Sequence, residues 1–158
     1  MSTKVKSDQA FALLYEAIVP VAHRRLASDG RLAPFGAVLD TAGRVIRVLG
    51  ADEAEIPRDQ NVCSMVEHSI LNLIRRGTVV ALASVANVIA DIGNGTLIGT
   101  VGVHLEHQSG NAEMRALPFT MKSSRKWLIA GRKTWKMQFE TVQIKSAEIH
   151  IFPKVGSL

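Results

Sequence analysis

Cysteine is almost missing from this chain of 158 residues, Cys63 being the single one. That excludes an intramolecular disulfide framework and every zinc motif that needs two or more cysteines. No Gly-rich phosphate loop, Gly-x-Ser-x-Gly elbow or His-Glu-x-x-His helix occurs, so the commonest signatures of nucleotide, serine-hydrolase and zinc-peptidase sites are missing. Long apolar runs are lacking too. The longest, Val79 to Ala90, has twelve residues interrupted by Ser84 and Asn87, too short to cross a bilayer as a helix. The opening stretch is broken by Glu16 and has no small-residue cleavage site, so no secretory signal is read and a reducing cytoplasm is the expected compartment. Repeats, low-complexity tracts and long Pro/Gly/Ser linkers are likewise missing, and one domain over residues 1–158 is expected.

What is present is a soluble composition with an uneven charge. The chain is 47% hydrophobic and 21% charged, with a net charge of +5. Residues 1–121 contribute −1 and residues 122–158 contribute +6. No acidic residue lies between Glu113 and Glu140, a stretch that holds Arg115, Lys122, Arg125, Lys126, Arg132, Lys133 and Lys136 together with Trp127 and Trp135. This is the one regional signal in the composition.

Periodicity gives the elements. Phe11, Leu14, Ile18 and Val21 recur at helical spacing, with Ser7 as the expected cap and Gly30 as a left-handed stop. Pro20 removes one helical bond and is expected to kink or restart that helix. Phe35 to Asp40 and Arg44 to Leu49 read as a hairpin turning at Gly43. Val62, Met65, Val66, Leu73 and Ile74 mark a second helix stopped at Gly77. In the middle, a two-residue turn at Asn94-Gly95 pairs Val88 with Val101 and Ala86 with Val103. One face then holds Ala86, Val88, Ala90, Ile92, Leu97, Val101, Val103 and Leu105, the face a helix is expected to cover. A turn over Gln108–Asn111 pairs His107 with Ala112 and His104 with Arg115, putting Met114 and Ala116 on that covered face.

The tail admits two readings. As one helix over 121–136 it gathers its basic residues opposite Met121, Trp127, Leu128 and Trp135. Gly131 favours instead a short helix over Arg125 to Ala130, capped by Ser123 or Ser124, then a strand with Trp135, Met137 and Phe139 inward. A last strand is expected near Ala147 to Phe152. The order αββα-βββ-αββ implies an α+β fold, a largely antiparallel sheet with helices packed on one face.

Three short runs carry a resemblance: Pro34 to Asp40 with Gly43, Leu105-Glu106-His107 followed by Gly110, and Ile151-Phe152-Pro153. Together they resemble a set of small bacterial α+β proteins of unassigned role, which implies a fold more than a function. The PFGAVLD run is also similar to the first strands of cytidine and adenosine deaminases. Their zinc site requires a Pro-Cys-x-x-Cys pair that this sequence lacks, and deaminase activity is rejected.

Three constellations remain as candidates. The proposed register gathers His104, Glu106, Glu113 and Arg115 on the exposed sheet face, with Asn87 beside Gly102, as a ligand or interface site. Glu106 and Glu113 would then stand opposite one another and need a cation between them. Cys63 and Glu67 share a helix face, but His68 points about 140° away, so a Cys-His nucleophile is not expected. His104 and His107, three apart on a strand, face opposite sides and do not form a metal pair. Finally, Lys122, Arg125, Lys126, Arg132, Lys133 and Lys136 form a candidate nucleic-acid surface in which tryptophan could stack on bases. The sequence points to no cofactor, metal or membrane partner and offers no complete catalytic set. The first reading is therefore a non-enzymatic interaction or regulatory module, expected as a homodimer. Nucleic-acid binding through 122–136 comes second, and a ligand or enzymatic site near His104 third.

Overall fold

The structure is a computed structural model that describes residues 6–49, 62–124 and 134–152. Its elements are α1 (Ser7–Asp29), β1 (Phe35–Asp40), β2 (Val45–Leu49), α2 (Val62–Arg75), β3 (Val79–Gly93), β4 (Thr96–His107), β5 (Ala112–Ser124), β6 (Thr134–Phe139) and β7 (Gln143–Ser146). The strands form one sheet in the order β2-β1-β3-β4-β5-β6, and β7 pairs with the other end of β5. Every pairing is antiparallel, so the α+β class with a largely antiparallel sheet is as expected. The short helix expected over Arg125 to Ala130 lies outside the described residues.

The helices do not share a face. α1 buries Ala10, Phe11, Leu14, Ile18, Val21, Ala22 and Leu26 against Phe35, Ala37 and Leu39 of β1 and the matching residues of β3, β4 and β5. α2 buries Val66 and Ile70 against Val38, Val48 and Leu82, together with Ile151 and Phe152. Because β1 is apolar at both parities and buried along its whole length, it sits between the two layers. A strand covered on both faces carries a continuous apolar run, and Phe35 to Leu39 is such a run. α2 comes close because Gly36 leaves room: a Cβ there would lie 2.9 Å from both Ile70 and Val66.

Local chemistry explains most element ends. Gly30 closes α1 in the left-handed conformation (φ 68°), its N–H bonding the Leu26 carbonyl at 2.9 Å, and Gly43 turns β1 into β2 at φ 80°. The start of α1 differs from expectation. Ser7 is the first helical residue and Lys6 precedes it without a side-chain cap, while the Ser7 hydroxyl accepts a 2.8 Å bond from Asn111. The helix runs through Pro20 without restarting. Pro20 and Glu16 are both exposed, so the carbonyl left without a donor can turn to water. Ser123 and Ser124 are the last residues of β5, and the helix they are expected to cap lies outside the described residues; the last described strand is β7, earlier than Ala147–Phe152. β6 alternates as expected, with Trp135, Met137 and Phe139 packed on the α1 core.

Both expected hairpin registers are one residue out. Asn94 and Gly95 take the positive φ of a two-residue turn (56° and 69°), but β3 bulges between Asp91 and Gly93, and Val88 pairs with Thr100 and Ala86 with Gly102. One extra residue inverts the side-chain phase of the rest of a strand. Val85 is therefore buried, whereas Ala86, Val88 and Ala90 are exposed; on β4, Val101, Val103 and Leu105 are inside as expected. At the next turn the His107 N–H bonds the Asn111 carbonyl at 2.8 Å and Gly110 has φ 99°. The loop is three residues long, not four, which pairs His104 with Met114 and Leu105 with Glu113. Met114 and Ala116 consequently lie on the face away from α1.

Candidate functional site

The register separates the sheet-face cluster proposed from sequence. His104 and Glu106 lie on the α2 side of β4, whereas Glu113 and Arg115 lie on the α1 side of β5. Asn87 stands opposite Val101, also on the α1 side, and Gly102 stands opposite Ala86. No like-charge pair needs a bridge, because Glu113 faces Leu105 rather than Glu106. Arg115 does bind an acid, its Nε lying 2.6 Å from Glu113 Oε2, and its guanidinium sits 4.8 Å from the Tyr15 ring centroid, a cation–π contact with α1. Burial raises the Tyr15 hydroxyl pKa, and the charge of Arg115 partly offsets that rise.

Glu106 is fully buried and does structural rather than exposed-site work. Its carboxylate accepts the backbone N–H of His150 and that of Ile151, the latter at 2.9 and 2.8 Å. Burial pushes the Glu106 carboxyl up, but His104 and these two N–H groups outweigh burial and hold its pKa below the ordinary glutamate value. His104 Nε2 lies 3.8 Å from Glu106 Oε1 and is buried without a hydrogen-bond partner among the described residues. The His104 ring meets His150 edge-on at 6.4 Å, and His150 Nε2 lies 3.5 Å from Glu67 Oε1 on α2. Glu106 thus clasps the segment that delivers Ile151 and Phe152 to the α2 core. Sequence reading missed His150 because no pattern joins it to residues more than forty positions away. No group of three or more His, Cys, Asp or Glu able to hold a metal occurs among the described residues. Of Cys63 only the backbone is described, inside α2, and His68 is exposed.

The feature that remains is the part of the sheet that α2 does not reach. On that side Val88 is 74% exposed and Ile98 40%, in rows that hydrogen bonding fixes across β3, β4, β5 and β6. One row runs Val88, Thr100, Pro118, extended by Glu140, whose N–H bonds the Pro118 carbonyl at 2.8 Å. The next runs Ala90, Ile98, Thr120, Gln138, and the third runs Thr96, Lys122, Lys136. A shallow groove of about 340 Å³ follows the first two rows, lined by Val88, Ile98, Thr100, Pro118, Thr120 and Glu140. The sequence pattern puts Val88 and Ala90 on the covered face and marks none of the other lining residues; it shows their alternation but not its phase.

Of the basic candidates, Lys122 and Lys136 are exposed and directly opposite one another, whereas Arg125, Lys126, Arg132 and Lys133 lie outside the described residues. Trp135 packs against the α1 core at the end of α1, where a Cβ on Gly30 would collide with its indole. It is therefore not a stacking platform. No described helix is long and apolar enough to cross a membrane. Comparison with protein-family models, curated proteins and solved structures finds no match to this chain.

Proposed function

We propose that this chain is a protein-interaction module without catalytic chemistry of its own, docking through the half of its sheet that α2 leaves open. The observation that carries this reading is the exposed apolar surface of Val88 and Ile98, continued by the half-buried Pro118. A helix or a second sheet ordinarily covers such a face, and a contiguous uncovered apolar patch on it is where a partner surface can dock. The groove is shallow and holds a single carboxylate, Glu140, among its lining residues, which suits a flat protein surface better than a small substrate. The single cysteine is consistent with action in a reducing cytoplasm.

The test is quantitative capture from a native lysate, with wild type and a Val88→Glu/Ile98→Lys variant as baits. The expected result is a stoichiometric protein, either this chain or another, retained by wild type and lost by the variant. Equal retention by both baits sinks the reading. Nucleic-acid binding is the second reading, favoured by the exposed Lys122 and Lys136 pair. It predicts single-stranded oligonucleotide binding that falls steeply as salt rises, and no binding at low salt removes it.

A further inference from the structure

The open face is self-complementary in charge along β6, and we infer that its partner is a second copy of this chain. The three rows place Ile98 in the middle row and Val88 and Pro118 in the outer row that ends on Glu140, with opposite charges at the two ends of the same strand. On β6 and its extension, exposed Lys136 and Glu140 flank exposed Gln138. Lys136, Glu140 and Lys122 have no ion-pair partner among the described residues. A two-fold axis lying in the interface and crossing the strands at the row of Ile98, Thr120 and Gln138 returns each strand onto itself with its direction reversed. Ile98 then meets the other copy's Ile98, and Lys136 of each copy stands over Glu140 of the other. Lys122 falls over the other copy's Pro118, where its stem covers apolar surface. Two sheets stack about 10 Å apart, a gap that a lysine and a glutamate reaching from opposite sides can close. Such a contact is isologous and closes as a dimer.

The size of the patch sets the strength. Four strands at about 4.8 Å and three rows at about 6.8 Å span roughly 15–20 Å each way, which puts this pair in the small, weak and concentration-dependent class of interfaces.

This inference rests on the interaction reading and is tested separately by sedimentation velocity between about 5 and about 500 µM, the range in which weak interfaces associate. Wild type is expected to shift from monomer to dimer over that range. Lys136→Glu and Glu140→Lys each create two like-charge contacts across the axis and are expected to weaken dimerisation about tenfold or more, while the double reversal restores it to within about threefold. Lys136→Glu also relieves the Lys122–Lys136 pair within one copy, so loss of the dimer in that variant does not arise from a weakened fold, and circular dichroism checks this. Wild type that stays monomeric throughout overturns self-association and leaves the interaction reading to the capture experiment. A dimer unaffected by Ile98→Lys and by both reversals overturns the use of this face altogether. A dimer lost in Ile98→Lys but indifferent to the reversals overturns the two-fold arrangement.

Discussion

A carboxylate taken out of water is costly unless its oxygens are satisfied, and Glu106 meets that condition with backbone N–H groups from residues 150 and 151. Glu106→Gln places an amide NH2 against one of those donors and is expected to cost about 2–4 kcal/mol at neutral pH. The pH dependence follows from the direction of the shift. The folded pKa lies below the ordinary value, so the contribution is complete above the unfolded-state pKa and is lost as pH falls through the folded one. Urea unfolding should therefore show the wild-type advantage intact at about pH 5–7 and shrinking toward about pH 3. Equal stability of the two proteins at pH 7 would refute the clasp. Asp40 works the same way on a local scale. The Arg44 backbone N–H, first among several contacts that include the Arg44 guanidinium and the Ala42 N–H, holds its pKa low. The Asp40–Gly43 turn was legible because all its partners lie within four residues. The Glu106 clasp was not, because its donors are backbone groups of a distant segment and carry no residue signature.

At the scale of elements, the bulge at Ile92 decides more than any other residue. Phe11, Leu14, Ile18 and Val21 face the core as their spacing predicts, and β6 alternates as read. On β3 the observed side is the reverse of the one expected, since a period of two says which residues share a face and not which face is covered. The bulge supplies a test. Ile92 has no cross-strand partner, whereas Asp91 pairs with Leu97 and Gly93 with Thr96, so deleting Ile92 joins two segments already in a common ladder. The deletion is expected to change stability by no more than about 1 kcal/mol, measured by urea unfolding. A loss of several kcal/mol would mean that the bulge holds the register of the entire hairpin.

At the scale of the whole molecule, the sheet carries one core on each side, and the two sides are unequal. α1 spans the strands from β1 to β6, while α2 covers only the β2-β1-β3 end and relies on Ile151 and Phe152 to complete its layer. Ile70→Ala and Ile151→Ala are both expected to destabilise the protein, by about 2–4 kcal/mol for the fully buried Ile70 and less for the partly accessible Ile151. Val88→Thr, on the open half of the same face, should stay within about 0.5 kcal/mol. Thermal or urea unfolding of the three variants separates the covered half from the uncovered one, and a large cost at Val88 would contradict the observed register.

Taken alone, the sequence determined what depends on near neighbours: the two helices, the hairpin of β1 and β2, the positive-φ turns at Gly30, Gly43 and Asn94-Gly95, and the inward set of β4 and β6. These follow from steric limits and periodicities that act within a few residues. Tertiary structure alone decided the parity of β3, the placing of α2 opposite α1, the parting of His104 and Glu106 from Glu113 and Arg115, and the exposure of Val88 and Ile98. Each of these turns on a one-residue offset or a choice of side. Both alternatives satisfy the local pattern equally, and only the packing of distant segments gives one of them the lower free energy.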